Sequence, residues 1–576
     1  MPSLLDQLTA ALAGAFAACG LDPALGVVRE SDRPELCAFQ CNGAFAAAKA
    51  ARRPPKEVAE AVAAALIDSD TVQNVSVAGP GFINFDASRI AISSALAAQD
   101  NARCGVPATG AGTIIVDYGG PNPAKAMHAG HLRTTLIGDA LKRIFAFAGY
   151  RALGNTHLND LGLPMGQIIS EYAARHPEWP YFDPAFTGPY PAEAPFTYAE
   201  LEEIYPQAAQ ACKDDPARRN LARQAAVDLQ EGRPGYRALW GHLMRLSKAD
   251  AKRNFDSLGV SFELWRGEAD VHGLIPGIGR DLKGRGLAVE SEGALVVPVV
   301  EAGDTRPMPP LMYYKSDGAA TYGTTDVATL CDRAQTYPDL VRAVYVADRR
   351  QALHFEQVFR TARLAGYADG VDLTFVGYGT MNGPDGRPFK TRSGGLPRFD
   401  DIVAETLERA RARLAEAGLR GDEALARQIM MATLKFADLV NPPAADYVFD
   451  PERMTAFEGK TGPYVLYQAV RAGAILEKAG SAGALGPLGV DETPLALTLA
   501  AWPEAFAQAL AAPSPHPVAA QAYRVAQAFS RFYGACPVLS EADPATRAAR
   551  LALVARTRAQ ITLALSLLGI YVPKQM

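Results

Sequence analysis

Two histidines three residues apart, His128 and His131, open a helical pattern that runs to about Phe147. At this spacing both imidazoles share one helix face. An apolar, β-rich run, Thr113 to Tyr118, and a Gly-Pro turn precede them, so the pair sits where a strand gives way to a helix. A helix start offers unpaired N–H groups and the positive end of the helix dipole, a setting suited to a triphosphate. Gly130 lets a nucleotide approach without a Cβ in its way. A bare His-x-x-His equally describes a metal pair or two surface histidines. Placement at the end of a first parallel strand favours a ligand site, because α/β sheets take their ligands there. A second candidate is the glycine-rich stretch Gly386 to Gly395, which holds Lys390, Arg392 and Ser393. Taken alone, these cations read as a solvated basic loop.

Such residues need a scaffold, and the hydrophobic pattern supplies one. Strands are predicted at 113–118 and 150–158, each followed by a helix. The order resumes with a helix at 324–337, a strand at 340–348, a helix from Arg349 to Leu364 and a strand at 373–380. Strand alternating with helix means a parallel sheet. Between 175 and about 285, Pro-rich, aromatic and charged stretches break the alternation and read as an insertion. Residues 1–108 alternate helical patterns with a strand-like stretch ending in "GPGFINF", and a Gly/Ala/Pro-rich linker follows. From about Asp400 the chain is almost entirely helical. The expected fold is multidomain α/β. An N-terminal α+β domain spans 1–108 and a Rossmann-like, doubly wound catalytic domain spans 109–400. An all-α domain spans 401–576.

With 576 residues the chain is too long for one core, and ~150 residues per domain suggests three or four. The net charge of −5 is weak evidence against a nucleic-acid partner, unless positive charge is local. No apolar run reaches the ~20 residues that span a bilayer. Leu4, Leu5, Leu8, Leu12 and Phe16 form an amphipathic pattern interrupted by Asp6, not a secretory core. Seven scattered cysteines read as reduced thiols of a cytoplasmic enzyme, and Cys37 with Cys41 lacks the companions of a zinc site.

The string His-Ala-Gly-His resembles the first ATP motif of class I aminoacyl-tRNA synthetases. The longer "PNPAKAMHAGHLR" resembles the arginine-specific members. That resemblance implies that His128 and His131 contact the ATP phosphates and stabilise the transition state of adenylation. Asn122, Ala124, Gly130, Lys390 and Ser393 would complete the ATP site. "GRPFKTRSGG" is similar to the arginine-specific form of the mobile second motif, in which the second lysine is absent. Lys390 then matches the first lysine, Arg392 follows it, and Lys125 substitutes for the missing one. A guanidinium with five donors needs carboxylates and amide oxygens. Asp117, Asn122, Tyr322, Asp326 and Gln351 would line that pocket, with Asp326 as the guanidinium partner and Tyr322 on its plane.

The termini extend the likeness. Phe82 and Asn84 match positions that read a D-loop base on the tRNA elbow. The C-terminal stretches, through Met576, resemble the helical anticodon-binding domain, where Arg547, Arg550 and Arg558 share a face suited to phosphates. The resemblance implies ATP with Mg2+ as cosubstrate and no protein-bound zinc. Its implied partners are L-arginine and tRNA(Arg), without a membrane. It further implies a monomer, and activation that requires tRNA. Two departures stand out. Gly119 and Gly120 replace the usual serines, and Pro164 stands where glutamine is common.

Overall fold

The computed structural model describes residues 2–33, 35–387, 397–419 and 421–576. Two compact units emerge: one of Thr109–Gly421 with Ala437–Arg453, the other of Met1–Ala108 with Asp422–Phe436 and Met454–Met576.

The first unit is built on four parallel strands, β1 (Thr113–Asp117), β2 (Arg151–Asn155), β3 (Leu340–Asp348) and β4 (Asp372–Tyr378), in the order β4-β3-β1-β2. All five β1 positions are buried, as expected for a strand covered on both faces. From β1 the chain winds to β2 on one side and later returns to β3 on the other. The crevice between β1 and β3 is therefore a switch point, where such sheets bind ligands. Helix α1 (Ala129–Ala148) leads from β1 to β2 and ends on Gly149, whose φ of 109° closes the turn.

Helix α1 is buried nearly all round, so its polar side chains need internal partners. Thr134 donates to the Val346 carbonyl of β3 at 2.7 Å and accepts the Gly119 N–H at 3.3 Å. Arg133 forms a buried ion pair with Asp438 at 2.8 Å and donates to the carbonyls of Ala445 and Pro443. Segment 437–453 is held against α1 in this way.

Three helices, Tyr198–Asp214, Pro216–Gln230 and Pro234–Ser257, pack on the helix Leu163–Arg175 that follows β2. Leu201, Leu229, Leu239 and Leu243 share a core there with Met165, Ile168 and Ile169. The interruption expected to end near 285 continues through a small antiparallel sheet, Val289–Ser291, Ala294–Val297 and Leu311–Tyr314. Only then do α2 (Tyr322–Thr336), β3, α3 (Ala352–Ala365) and β4 complete the parallel sheet.

The second unit holds an antiparallel sheet ordered Val28–Glu30, Phe39–Cys41, Phe82–Ala87, Val72–Ala78. Its remaining long elements are helices, ending with Pro544–Leu567. A chain of buried amides runs through it: Gln560 donates to the Leu499 carbonyl and Gln99 to the Ala500 carbonyl. Among the described residues no helix is long and apolar enough to cross a membrane.

Candidate active site

A cavity of about 700 Å³ opens at the carboxyl ends of β1 and β3. His128, Gly130 and His131 lie on its wall, as do Asp117, Asn122, Tyr322, Asp326 and Gln351. Residues up to 234 positions apart (117 to 351) thus share one space.

The histidines hold each other through the backbone. His128 is the N-cap of α1, and its Nδ1 accepts the Gly130 N–H at 3.1 Å. His131 Nδ1 accepts the His128 N–H at 3.0 Å. Two side chains satisfy two orphan donors of the helix start, a reciprocal cap normally built from Ser and Glu. Because each Nδ1 is an acceptor, a neutral ring carries its proton on Nε2. Burial lowers the His128 pKa to about 4, assisted by Lys125. Burial, then His128 and Lys125, lowers that of His131 to about 3. Both imidazoles are neutral Nε2–H donors at neutral pH.

The expected nucleotide residues divide. Asn122 accepts from the Asn159 amide at 3.0 Å at the cavity wall. Ala124 is buried, and its N–H donates to Ser247 Oγ at 3.0 Å. With exposed Lys125 it lines a neighbouring cavity of about 420 Å³ that also touches His128, Glu202 and Arg398. Lys390, Arg392 and Ser393 lie outside the described residues. Just beyond them, Pro397 and Phe399 join the backbone at the histidines: Ala129 N–H donates to the Pro397 carbonyl at 3.1 Å and Phe399 N–H to Met127 at 2.9 Å.

Among the residues expected to take the amino acid, Asp117 enters the cavity wall with one oxygen committed. Its Oδ2 accepts from Asn155 at 2.9 Å and from the buried guanidinium of Arg333. Asp326 Oδ2 meets His354 Nε2 at 2.6 Å. Tyr322 begins α2 with its ring largely exposed, and Gln351 caps α3. His354, Arg333 and Glu268 were missed in the sequence. His354 stands three after Gln351, a spacing that places both on one face. Glu268 carries no comparable signal.

Burial raises the Glu268 pKa to about 7, against the opposing pull of His157. The cavity therefore gains a negative charge as pH rises through 7. We expect the KM for a cationic amino acid to fall between pH 6 and 8, and Glu268→Gln to flatten that slope. A slope unchanged in the variant would remove Glu268 from the effect.

The two glycines that replace serines have a local cause. Gly119 has φ of 85° and Gly120 of 38°, both left-handed. A Cβ on Gly119 would sit 3.0 Å from the Phe262 ring and 3.1 Å from that of Phe255. At Gly119 aromatic packing takes the space a serine would need, and at Gly120 the left-handed backbone alone disfavours one.

The expected tRNA residues are also placed. Phe82 packs edge-on against Phe45 with centroids 5.0 Å apart, and buried Asn84 accepts from Gln40 at 2.9 Å. Arg547 is exposed and Met576 half-buried. Arg550 departs from the expected phosphate-facing row. It is tied to Glu492 at 2.7 Å and Glu541 at 2.6 Å, so its charge is neutralised within the domain.

Comparison with known proteins agrees along the whole chain. Residues 91–451 match the family described as tRNA synthetases class I (R), catalytic domain. Residues 465–576 match the DALR anticodon binding domain, and 3–87 the arginyl tRNA synthetase N terminal domain. Proteins called arginine–tRNA ligase from Hyphomonas neptunium and Maricaulis maris are each 46% identical over 100% of both chains. The fold is similar to that of arginyl-tRNA synthetase from Plasmodium falciparum, with TM-score 0.82, 22% identity and 100% of each chain covered. It is also similar to the Thermus thermophilus arginyl-tRNA synthetase, with TM-score 0.77, 24% identity and 98% and 99% covered. With each of its three segments matched and nearly half its residues identical to those of full-length relatives, the chain belongs to the class I arginyl-tRNA synthetase family.

Proposed function

We propose that the cavity between β1 and β3 activates L-arginine with ATP and passes it to tRNA(Arg). In the first step the arginine carboxylate attacks the α-phosphorus, the bond to the β-phosphate breaks, and pyrophosphate leaves. In the second, the 2′-OH of the terminal adenosine attacks the arginyl carbonyl and AMP leaves. Neither step needs a covalent protein intermediate, so the residues position reactants and stabilise charge.

The observation that carries this reading is the pair of neutral imidazoles locked by backbone N–H groups. Their Nε2–H donors suit the negative charge that grows on the phosphates, and the helix start adds its dipole. Lys125, Lys390 and Arg392 would supply cations, with Asn122, Ala124, Gly130 and Ser393 completing the nucleotide site. Mg2+ would enter on the triphosphate and offset part of its charge. Asp326, Tyr322, Gln351, Asn122 and the free edge of Asp117 would receive arginine. Phe82, Asn84, Arg547 and Met576 would serve the tRNA, and the enzyme would work as a cytoplasmic monomer.

The test is ATP–pyrophosphate exchange with each of the twenty amino acids, with and without tRNA. Exchange with arginine alone, and only with tRNA present, is the expected result. Exchange with a different amino acid would overturn the pocket assignment.

A further inference from the structure

Asp326 and His354 belong to different helices, α2 and α3, and meet across the cavity wall at 2.6 Å. Asp326 lies four residues after Tyr322, and His354 three after Gln351, so each helix sends two side chains toward the same space. The Asp326 side chain is 17% exposed and that of His354 31%, which leaves the pair shielded yet reachable by a ligand. Arg333 neutralises Asp117 nearby. Asp326 is thus a carboxylate facing the cavity whose hydrogen-bonding partner is an imidazole.

We infer that His354 is a positioning residue for recognition of the substrate guanidinium, acting through Asp326. This rests on the arginine pocket proposed above. The Nε2–H of His354 donates to Oδ2 and fixes the rotation of the carboxylate. Oδ1 and the second lone pair of Oδ2 stay available to a planar, forked donor. A freely rotating carboxylate would still attract a cation but would lose the alignment that two parallel N–H···O bonds require. At metal sites, hydrogen bonds that orient a ligating side chain in this way contribute about 10- to 100-fold to metal affinity or activity, and we take the lower figure here.

Steady-state exchange kinetics on the full-length enzyme test the inference. His354→Ala should raise the KM for arginine by about 10-fold and leave the KM for ATP within two-fold. His354→Gln, whose Nε2 amide reaches the place of the imidazole Nε2, should recover most of the loss. A merely structural role would lower thermal stability, move both KM values together and show no recovery. An unchanged arginine KM in His354→Ala, or a parallel rise in both constants, overturns the inference. Asp326→Asn separates the two levels. If it raises the arginine KM while His354→Ala does not, only the positioning role fails. If neither variant changes that KM, the pocket assignment fails as well.

Discussion

His131→Asn is expected to slow arginine-dependent ATP–pyrophosphate exchange by about 10²- to 10³-fold, the usual cost of removing one preorganised donor from a charge-stabilising site. Asparagine is chosen for its geometry. Its Oδ1 falls near the position of the imidazole Nδ1 and can still accept the His128 N–H, which His131 now accepts at 3.0 Å. The cap survives while the Nε2–H donor disappears. Exchange should therefore collapse with little loss of stability and with tRNA affinity within two-fold of the parent. Alanine would remove both functions and blur the result. Exchange within ten-fold of the parent rate would show that the imidazole is no more than a cap.

Asp438→Ala is expected to destabilise the sheet-bearing unit by about 3–5 kcal/mol, the cost of stranding a buried partner charge. Arg133 and Asp438 are both 1% exposed, and two backbone carbonyls complete the guanidinium's shell. Water cannot replace the lost carboxylate at such a depth. The paired change Arg133→Met with Asp438→Leu should recover part of the loss, because it leaves no buried charge but takes the donor from the Ala445 and Pro443 carbonyls. Urea unfolding followed by tryptophan emission reads this unit selectively. Trp179, Trp240 and Trp265 lie within it and only Trp502 lies in the other. A shift below 1 kcal/mol for Asp438→Ala would mean that the pair is not isolated from solvent.

The strand–helix order around the site was legible in the sequence because its signals are local. Expected strands at 113–118 and 340–348 correspond to β1 and β3 within a residue, and the helix from His128 begins at Ala129. Continuous apolar runs with turn residues at their ends suffice for that. The small sheet at 289–314 was not legible, because strands of three or four residues are too short to display a period. Gathering Asp326 and Gln351 into one pocket with His128 came from family likeness, not from any spacing. Ion pairs were the hardest to foresee. Arg550 has the helical spacing of an outward-facing cation, yet its partners include Glu492, 58 positions away. No local pattern records a neutralising charge that arrives from a distant turn.

Arg333 on Asp117 has a further consequence for how the pocket sorts its ligands. Its guanidinium is chemically the head group of a free arginine, attached to the wall by its own backbone. A tethered group competes at an effective concentration that free ligands do not approach. Dissolved arginine therefore has no practical access to the Asp117 oxygen that Arg333 holds. In the pocket proposed above, a substrate guanidinium would be held instead at Asp326, whose hydrogen-bonding partner is the His354 imidazole, with Glu268 on the same wall. One guanidinium seat is filled by the chain itself, and the adjacent one, in the proposed pocket, would turn over with each catalytic cycle.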